Sequence, residues 1–266
     1  MPKVDNVGYG ELTSVKIKML SKILDMHLVI TQAVISRNSF FKRTYHYIDL
    51  TAGKGYSPDG KVKGSPLAFL DSVHSEKIRI PYKIDLIECE EKNYSELDSN
   101  VEKYCQQNSW DTRSIHLHQG NYEDIVKDIL PFLNEMELGL IFVDPSGNLP
   151  DFEILGYVAR MRPRMEILVY IPTTNLKRQR GKLLSEYMKE MEKEYWLVRK
   201  PFSWDKHKWT FLLGCSHPTI FKNYKAIDFV RLDSSEAEGF FPKLNLTAKQ
   251  RMKQIQPELP FPERDK

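Results

Sequence analysis

Two short stretches of this chain combine residue types that could do chemistry. In Tyr47-Ile48-Asp49-Leu50-Thr51-Ala52-Gly53-Lys54-Gly55-Tyr56 an apolar run closes on an acid and then turns through small residues. Two glycines within three positions permit backbone dihedrals and close approaches that side chains forbid, so a ligand could lie directly against the main chain there. In Leu138-Gly139-Leu140-Ile141-Phe142-Val143-Asp144-Pro145-Ser146-Gly147 a second apolar run ends in an acid, a proline and a glycine turn. An apolar run of that kind is expected of a strand covered on both faces, and open α/β sheets bind ligands at the carboxyl ends of such strands. An ordinary strand-to-loop turn would use the same residues, so the meaning of each stretch depends on what lies beside it.

Competing patterns fail at identifiable positions. A dinucleotide fingerprint would need a third glycine where Pro58 stands. Gly55 to Lys61 spells a phosphate-loop core, but Val62 replaces the Ser or Thr that would hold magnesium, and no helix follows at once. His116 and His118 share a strand face and lack a third ligand at sensible spacing, which favours packing over metal binding.

The elements that must position the two acids can be read from periodicity. Residues Thr13 to Arg37 carry apolar positions at helical spacing and are expected to cover a flank of the first strand, Tyr45 to Leu50. Ser65, as N-cap, and Pro66, as first helical residue, predict a helix start whose free N–H groups could face the glycine turn. Tyr82 to Glu88 predicts a second strand. An acid at its end can accept hydrogen bonds from ribose hydroxyls, with Glu88 the first choice and Glu90 the second. A helix from Glu91 to Gln106 and a third strand, Ser114 to Gln119, follow; Asn121 and Tyr122 just beyond could meet and shield an adenine ring. Further strands are expected at Met165 to Pro172, Tyr195 to Phe202 and Lys208 to Gly214, the last two joined by a loop from Ser203 to His207, with a helix from Lys182 to Glu194 between. Lys177, Arg178, Arg180 and Lys182 put four cations just past the fifth strand, where phosphates could be met. Arg160, Arg162 and Arg164 are expected at the opposite rim.

The acid followed at alternate positions by Thr51, Gly53 and Gly55 resembles the first motif of class I S-adenosylmethionine-dependent methyltransferases. That resemblance implies a Rossmann-like α/β fold: a central, mostly parallel seven-stranded sheet with helices on both faces and an antiparallel last strand. It implies S-adenosyl-L-methionine as cofactor, with the Asp49 carboxylate receiving its ammonium and Thr51, Ala52, Gly53, Gly55, Ser65, Glu88, Asn121, Tyr122 and Asp144 around it. Strand-Asp144-Pro145 with a glycine turn resembles the catalytic motif of amino-group methyltransferases, in which the acid and a backbone carbonyl hold the target amine. Ser146 and Gly147 stand where those enzymes carry Pro and an aromatic residue; Tyr170 or Phe202 could stack instead. Together with Gly64-Ser65-Pro66-Leu67 and the basic segment Asn175 to Arg180, these motifs resemble the bacterial three-Cys-motif partner family over roughly residues 15 to 232. Thr51 and Lys54 replace the family's usual Phe and Pro. The resemblance implies methyl transfer to an amino group of a nucleic acid or nucleotide, a three-Cys-motif protein as partner, and a phage or defence setting. In it Ser146, Lys177, Arg178 and Arg180 would face the acceptor. A non-catalytic binding subunit that keeps the same fold is the alternative.

Composition sets the outer bounds. The 266 residues, 41% hydrophobic, can build one large domain or two small ones. No apolar stretch approaches the roughly 20 residues of a bilayer span, and Met1 to Asp5 does not open a signal peptide, so a cytoplasmic location is expected. Three scattered cysteines suggest neither zinc nor redox chemistry, and a net charge of +3 does not by itself identify a polyanion partner. The expected organisation is a helical segment, 1–40, packing on a methyltransferase-like domain, 41–235, followed by a flexible tail, 236–266. Gln256, Leu259 and Phe261 in that tail resemble peptides bound by DNA sliding clamps.

Overall fold

The structure is a computed structural model that describes residues 13–145, 147–178, 183–202, 208–218 and 223–245. The elements run α1 (Thr13–Arg37), β1 (Tyr45–Asp49), α2 (Ser65–Val73), β2 (Tyr82–Glu88), α3 (Glu91–Asn108), β3 (Ile115–Gln119), α4 (Tyr122–Ile129) and β4 (Leu138–Val143). They continue with α5 (Phe152–Met161), β5 (Glu166–Pro172), α6 (Thr173–Arg178), α7 (Leu184–Glu190), β6 (Tyr195–Arg199), β7 (Trp209–Cys215), β8 (Phe229–Arg231), α8 (Ser235–Glu238) and α9 (Phe241–Asn245).

All described strands join one sheet in the order β3-β2-β1-β4-β5-β7-β6-β8. The first five pair in parallel, and β7 enters antiparallel between β5 and β6. The expected class I methyltransferase architecture is therefore present, with one difference in strand count: β8 adds an eighth, antiparallel strand outside β6. It is three residues long, too short for its alternation to stand out in the sequence.

The apolar runs of β1 and β4 split between two cores because successive strand residues point to opposite faces. Tyr47, Leu140 and Phe142 pack with Leu20, Ile23, Leu67, Phe69 and Leu97 from α1, α2 and α3. Ile48, Ile141 and Val143 pack with Val126, Leu155, Val158 and Met188 from α4, α5 and α7. By length and composition alone α1 could cross a bilayer, contrary to the sequence expectation. In this fold Leu20, Ile23, Leu24 and Leu28 are fully buried under the sheet, so its apolarity serves packing.

Part of the stretch expected as a flexible tail is helical. Residues 236–245 fold back as α8 and α9, and Ala237, Phe240 and Leu244 join the second core. The clamp-like residues Gln256, Leu259 and Phe261 and the loop 203–207 lie outside the described residues.

A buried polar network ties the parallel edge together. Asp85 on β2 meets His46 Nε2 of β1 at 2.6 Å and His118 Nε2 of β3 at 2.7 Å, and Glu137 meets His46 Nδ1 at 3.1 Å. Thus His118 is engaged by a carboxylate, and among the described residues no group of His, Cys, Asp or Glu side chains is arranged to hold a metal.

Candidate functional site

The two acids singled out in the sequence stand on adjacent parallel strands at the same rim. Asp49 aligns with Phe142 in the β1–β4 register, and Asp144 lies two residues beyond Phe142. Glu88 closes β2 on the other side of β1, so the three acids share the carboxyl edge.

After Asp49 the chain turns at Gly53 and Gly55, whose φ angles of 62° and 84° lie in the region that favours glycine. The turn is held at both ends. Asn100 of α3 donates to the Lys54 carbonyl at 2.7 Å, and Lys54 pairs with Glu96 at 3.4 Å. Gly64 N–H donates to the Gly55 carbonyl at 2.6 Å, which brings the start of α2 to the glycine turn as expected. A side chain at Gly64 would place Cβ 3.0 Å from that carbonyl oxygen. Gly64 is the N-cap, which makes Ser65 the first helical residue and Pro66 the second, one position later than the sequence suggested. Ser65 directs its hydroxyl to the Asp49 carboxylate instead of capping the helix.

Asp49 is fully buried. Tyr47, two residues back on the same strand face, donates its hydroxyl at 3.2 Å, and Thr51 N–H donates at 3.1 Å. Burial pushes the Asp49 carboxyl up to about 7, against the hydrogen bonds from Ser65, Thr51 and Tyr47.

Asp144 is partly buried and paired with an unexpected partner: Lys16 of α1 places its Nζ 2.6 Å from Oδ2 and 4.2 Å from the centre of the Tyr170 ring. The other oxygen, Oδ1, is buried and has no hydrogen-bond partner among the described residues. Burial pushes this carboxyl upward as well, opposed by the Lys16 charge. Sequence reading assigned no chemistry to α1. A lysine in the first turn of an amphipathic helix carries no local signal, and only the tertiary fold brings it to the acid.

Thr51 connects the two loops. Its hydroxyl accepts from Asp144 N–H at 2.7 Å and so links the β1 turn to the β4 turn. Replacing Thr51 by valine should leave that N–H without its acceptor and lower stability by about 1–3 kcal/mol in urea unfolding. A loss below about 0.3 kcal/mol would show that the link is immaterial.

A cavity of about 60 Å³ opens where these residues meet, lined by Lys16, Thr51, Ala52, Gly53, Ser65 and Asp144 among others. The remaining expected cofactor contacts, Asp49 and Gly55 among them, lie outside that lining. Glu88 is buried, and its Oε1 accepts from Glu90 N–H at 2.9 Å. Asn121 is exposed at the start of α4, and the Tyr122 hydroxyl accepts from Asp151 N–H at 2.8 Å. The Pro145 carbonyl already accepts from Asn148 N–H at 2.7 Å, which leaves one lone pair for any further donor.

Among the expected acceptor contacts, Ser146 and Arg180, and the side chains of Lys177 and Arg178, are outside the described residues. The backbone of the basic segment begins as α6, and Asn175 Nδ2 donates to the Gly147 carbonyl, which places α6 against the Asp144 turn. Tyr170 packs beside Trp209 and Phe211, and Phe202 lies tilted against Trp209, so both expected aromatic residues belong to one cluster. Arg162 and Arg164 precede β5, on the opposite rim as expected.

No family model matches the chain, and no curated protein matches it by sequence. Similar solved structures exist. A Legionella pneumophila protein of the DUF519 family is 12% identical with a TM-score of 0.50, over 79% of this chain and 89% of that one. An O-methyltransferase from Bacillus cereus, solved with SAH, is 11% identical with a TM-score of 0.47, over 78% of this chain and 83% of that one.

Proposed function

We infer that this chain binds S-adenosylmethionine at the carboxyl rim of β1, β2 and β4 and transfers its methyl group to an amine of a nucleic acid or nucleotide. The observation that carries the reading is the meeting of Asp144 and Lys16 in one glycine-lined hollow, with Asp49 buried next to it and an Asp144 oxygen that is sealed and has no partner among the described residues. A buried acceptor atom left unmatched costs free energy, and functional sites are where such costs are found. When bound, the cofactor supplies a sulfonium methyl as electrophile.

The residues fit such a group. An amino-acid zwitterion needs a cation and an anion close together: the Lys16 ammonium lines the hollow, and the buried Asp49 stands two residues before Thr51 of its wall. The enclosed volume suits one end of a cofactor; typical ligand sites run to about 300–1,000 Å³, so the rest would extend along the rim toward Glu88, Asn121 and Tyr122. Asp144 would hold the acceptor amine through a carboxylate whose raised proton affinity suits it to take up a proton. Pro145 would offer its remaining lone pair and Tyr170 an aromatic face. Ser146, Lys177, Arg178 and Arg180 would meet the acceptor and its phosphates. A three-Cys-motif protein is the partner this reading carries with it.

Asp144→Asn should lower transfer of labelled methyl to DNA, RNA or nucleotides by about 100-fold or more, the scale of removing one charge-stabilising group. It should leave the cofactor-induced rise in melting temperature within a degree or two. Equal transfer by both proteins ends the catalytic assignment.

A second reading is favoured by Lys16 itself. Its ammonium already occupies the accessible oxygen of Asp144, as it would in a chain that keeps the fold to bind nucleic acid without transferring methyl. Salt-sensitive retention on DNA or RNA with no label incorporated would select it.

A further inference from the structure

At the opposite rim of the sheet, α1 and the starts of β4 and β5 enclose a cavity of about 620 Å³. That volume is within the range of small-molecule sites. Ile30, Val34, Phe41 and Leu138 are among its apolar lining, and Glu166 and Thr31 among its polar lining.

Glu166 is 3% exposed and held rigidly: His27 Nε2 lies 2.9 Å from Oε2, and the Ser216 hydroxyl donates to Oε1 at 2.6 Å. Lys193 lines the same cavity but spends its donors on the carbonyls of Arg162, Pro163 and Met165, at 3.4, 3.0 and 2.7 Å. It makes no ion pair with Glu166. Thr31, 5% exposed on α1, has no hydrogen-bond partner for its hydroxyl among the described residues, although it lines the cavity.

We propose that this cavity binds a protonated amine carried on an apolar stem, with Glu166 and the Thr31 hydroxyl meeting the ammonium and the apolar sides meeting the stem. The lining holds three acids, Glu166, Glu192 and Glu194, against two bases, Arg164 and Lys193, which disfavours an anion, and a pure hydrocarbon would leave the Thr31 hydroxyl unmatched. An ammonium satisfies both polar groups with charge-assisted hydrogen bonds. The same chemistry is available from a free alkylamine or from a lysine side chain of another protein. The site is separate from the Asp49–Asp144 hollow and does not depend on the function proposed for it.

Calorimetric titration of the full chain with hexylamine, hexan-1-ol and a capped lysine peptide tests the proposal and distinguishes the sources. Hexylamine or the peptide should bind at least about tenfold more tightly than the alcohol, the scale of one hydrogen bond to a charged group. Glu166→Gln should remove that preference. If the Gln variant does not fold, Val34→Trp, which fills the cavity from a half-buried position, should abolish binding while leaving the far-ultraviolet circular dichroism and the urea midpoint close to the parent's. Equal binding of amine and alcohol, binding that survives Val34→Trp, or no binding of either amine would overturn the proposal.

Discussion

Asp49→Asn should make the protein more stable at pH 8 than the parent chain while weakening its hold on S-adenosylmethionine. The cause is the fully buried carboxyl, pushed up to about 7. An acid whose folded value is raised binds its proton more tightly in the folded state. Stability is therefore lost as pH rises from the unfolded value near 4 and levels off above about 7. A shift of about three units corresponds to roughly 4 kcal/mol, of which about 1.5 kcal/mol is already lost at pH 5. Asparagine removes the titration but disturbs the hydrogen bonds from Tyr47, Thr51 and Ser65, at about 1 kcal/mol each. The variant should thus gain roughly 3 kcal/mol on the parent between pH 5 and pH 8, read from urea unfolding at the two values. An identical difference at both values would mean that Asp49 is ionised at no cost, and its retention would need no ligand to explain it.

Asp85→Asn should have an effect of similar size and opposite sign, lowering stability by about 3–5 kcal/mol at pH 6, because removing one partner of a buried pair strands the others. Burial alone would raise the Asp85 carboxyl, but the hydrogen bonds with His118 and His46 outweigh it and hold it well below the usual carboxylate range. Its contribution is therefore present above about pH 4 and lost as pH falls below that. Burial disfavours the charged form of His46, but its contacts with Asp85 and Glu137 prevail and raise it. That contribution is complete below about pH 6.5 and lost as pH rises through the folded value. Between those limits the network's own contribution is complete, so the parent's stability changes there only through Asp49, and the variant should lose the acid-side slope. Melting curves from pH 3 to pH 9 would show it; a loss under about 1 kcal/mol would mean that the edge strands are held by apolar packing alone.

The fold was largely legible in the chain because its signals are local. The apolar runs ending at Asp49 and Asp144 declare central parallel strands, and Gly53, Gly55 and Pro66 mark the turns between elements. The eighth strand, Phe229–Arg231, was not legible, since three residues carry too little periodicity. Nor was the folding of 236–245, where Ala237, Phe240 and Leu244 fall at helical spacing but Gly239 and Pro242 interrupt the pattern. The site was legible in its strand-end acids and glycines. It was not in Lys16, which reaches Asp144 across 128 positions of sequence. Thr51 is an intermediate case. Its place in the glycine turn was noticed, but its hydroxyl's role depends on where the β4 turn happens to lie.

Isothermal titration with S-adenosylmethionine and with its demethylated product tests the central claim most directly. Saturable one-to-one binding of both is expected, accompanied by a rise in melting temperature as any ligand of the folded state must cause. Binding should weaken at least about tenfold in Asp49→Asn and in Lys16→Ala, since each loses a charged contact to the amino-acid end. No heat and no melting shift at millimolar cofactor would contradict the account, and so would binding that ignores both substitutions.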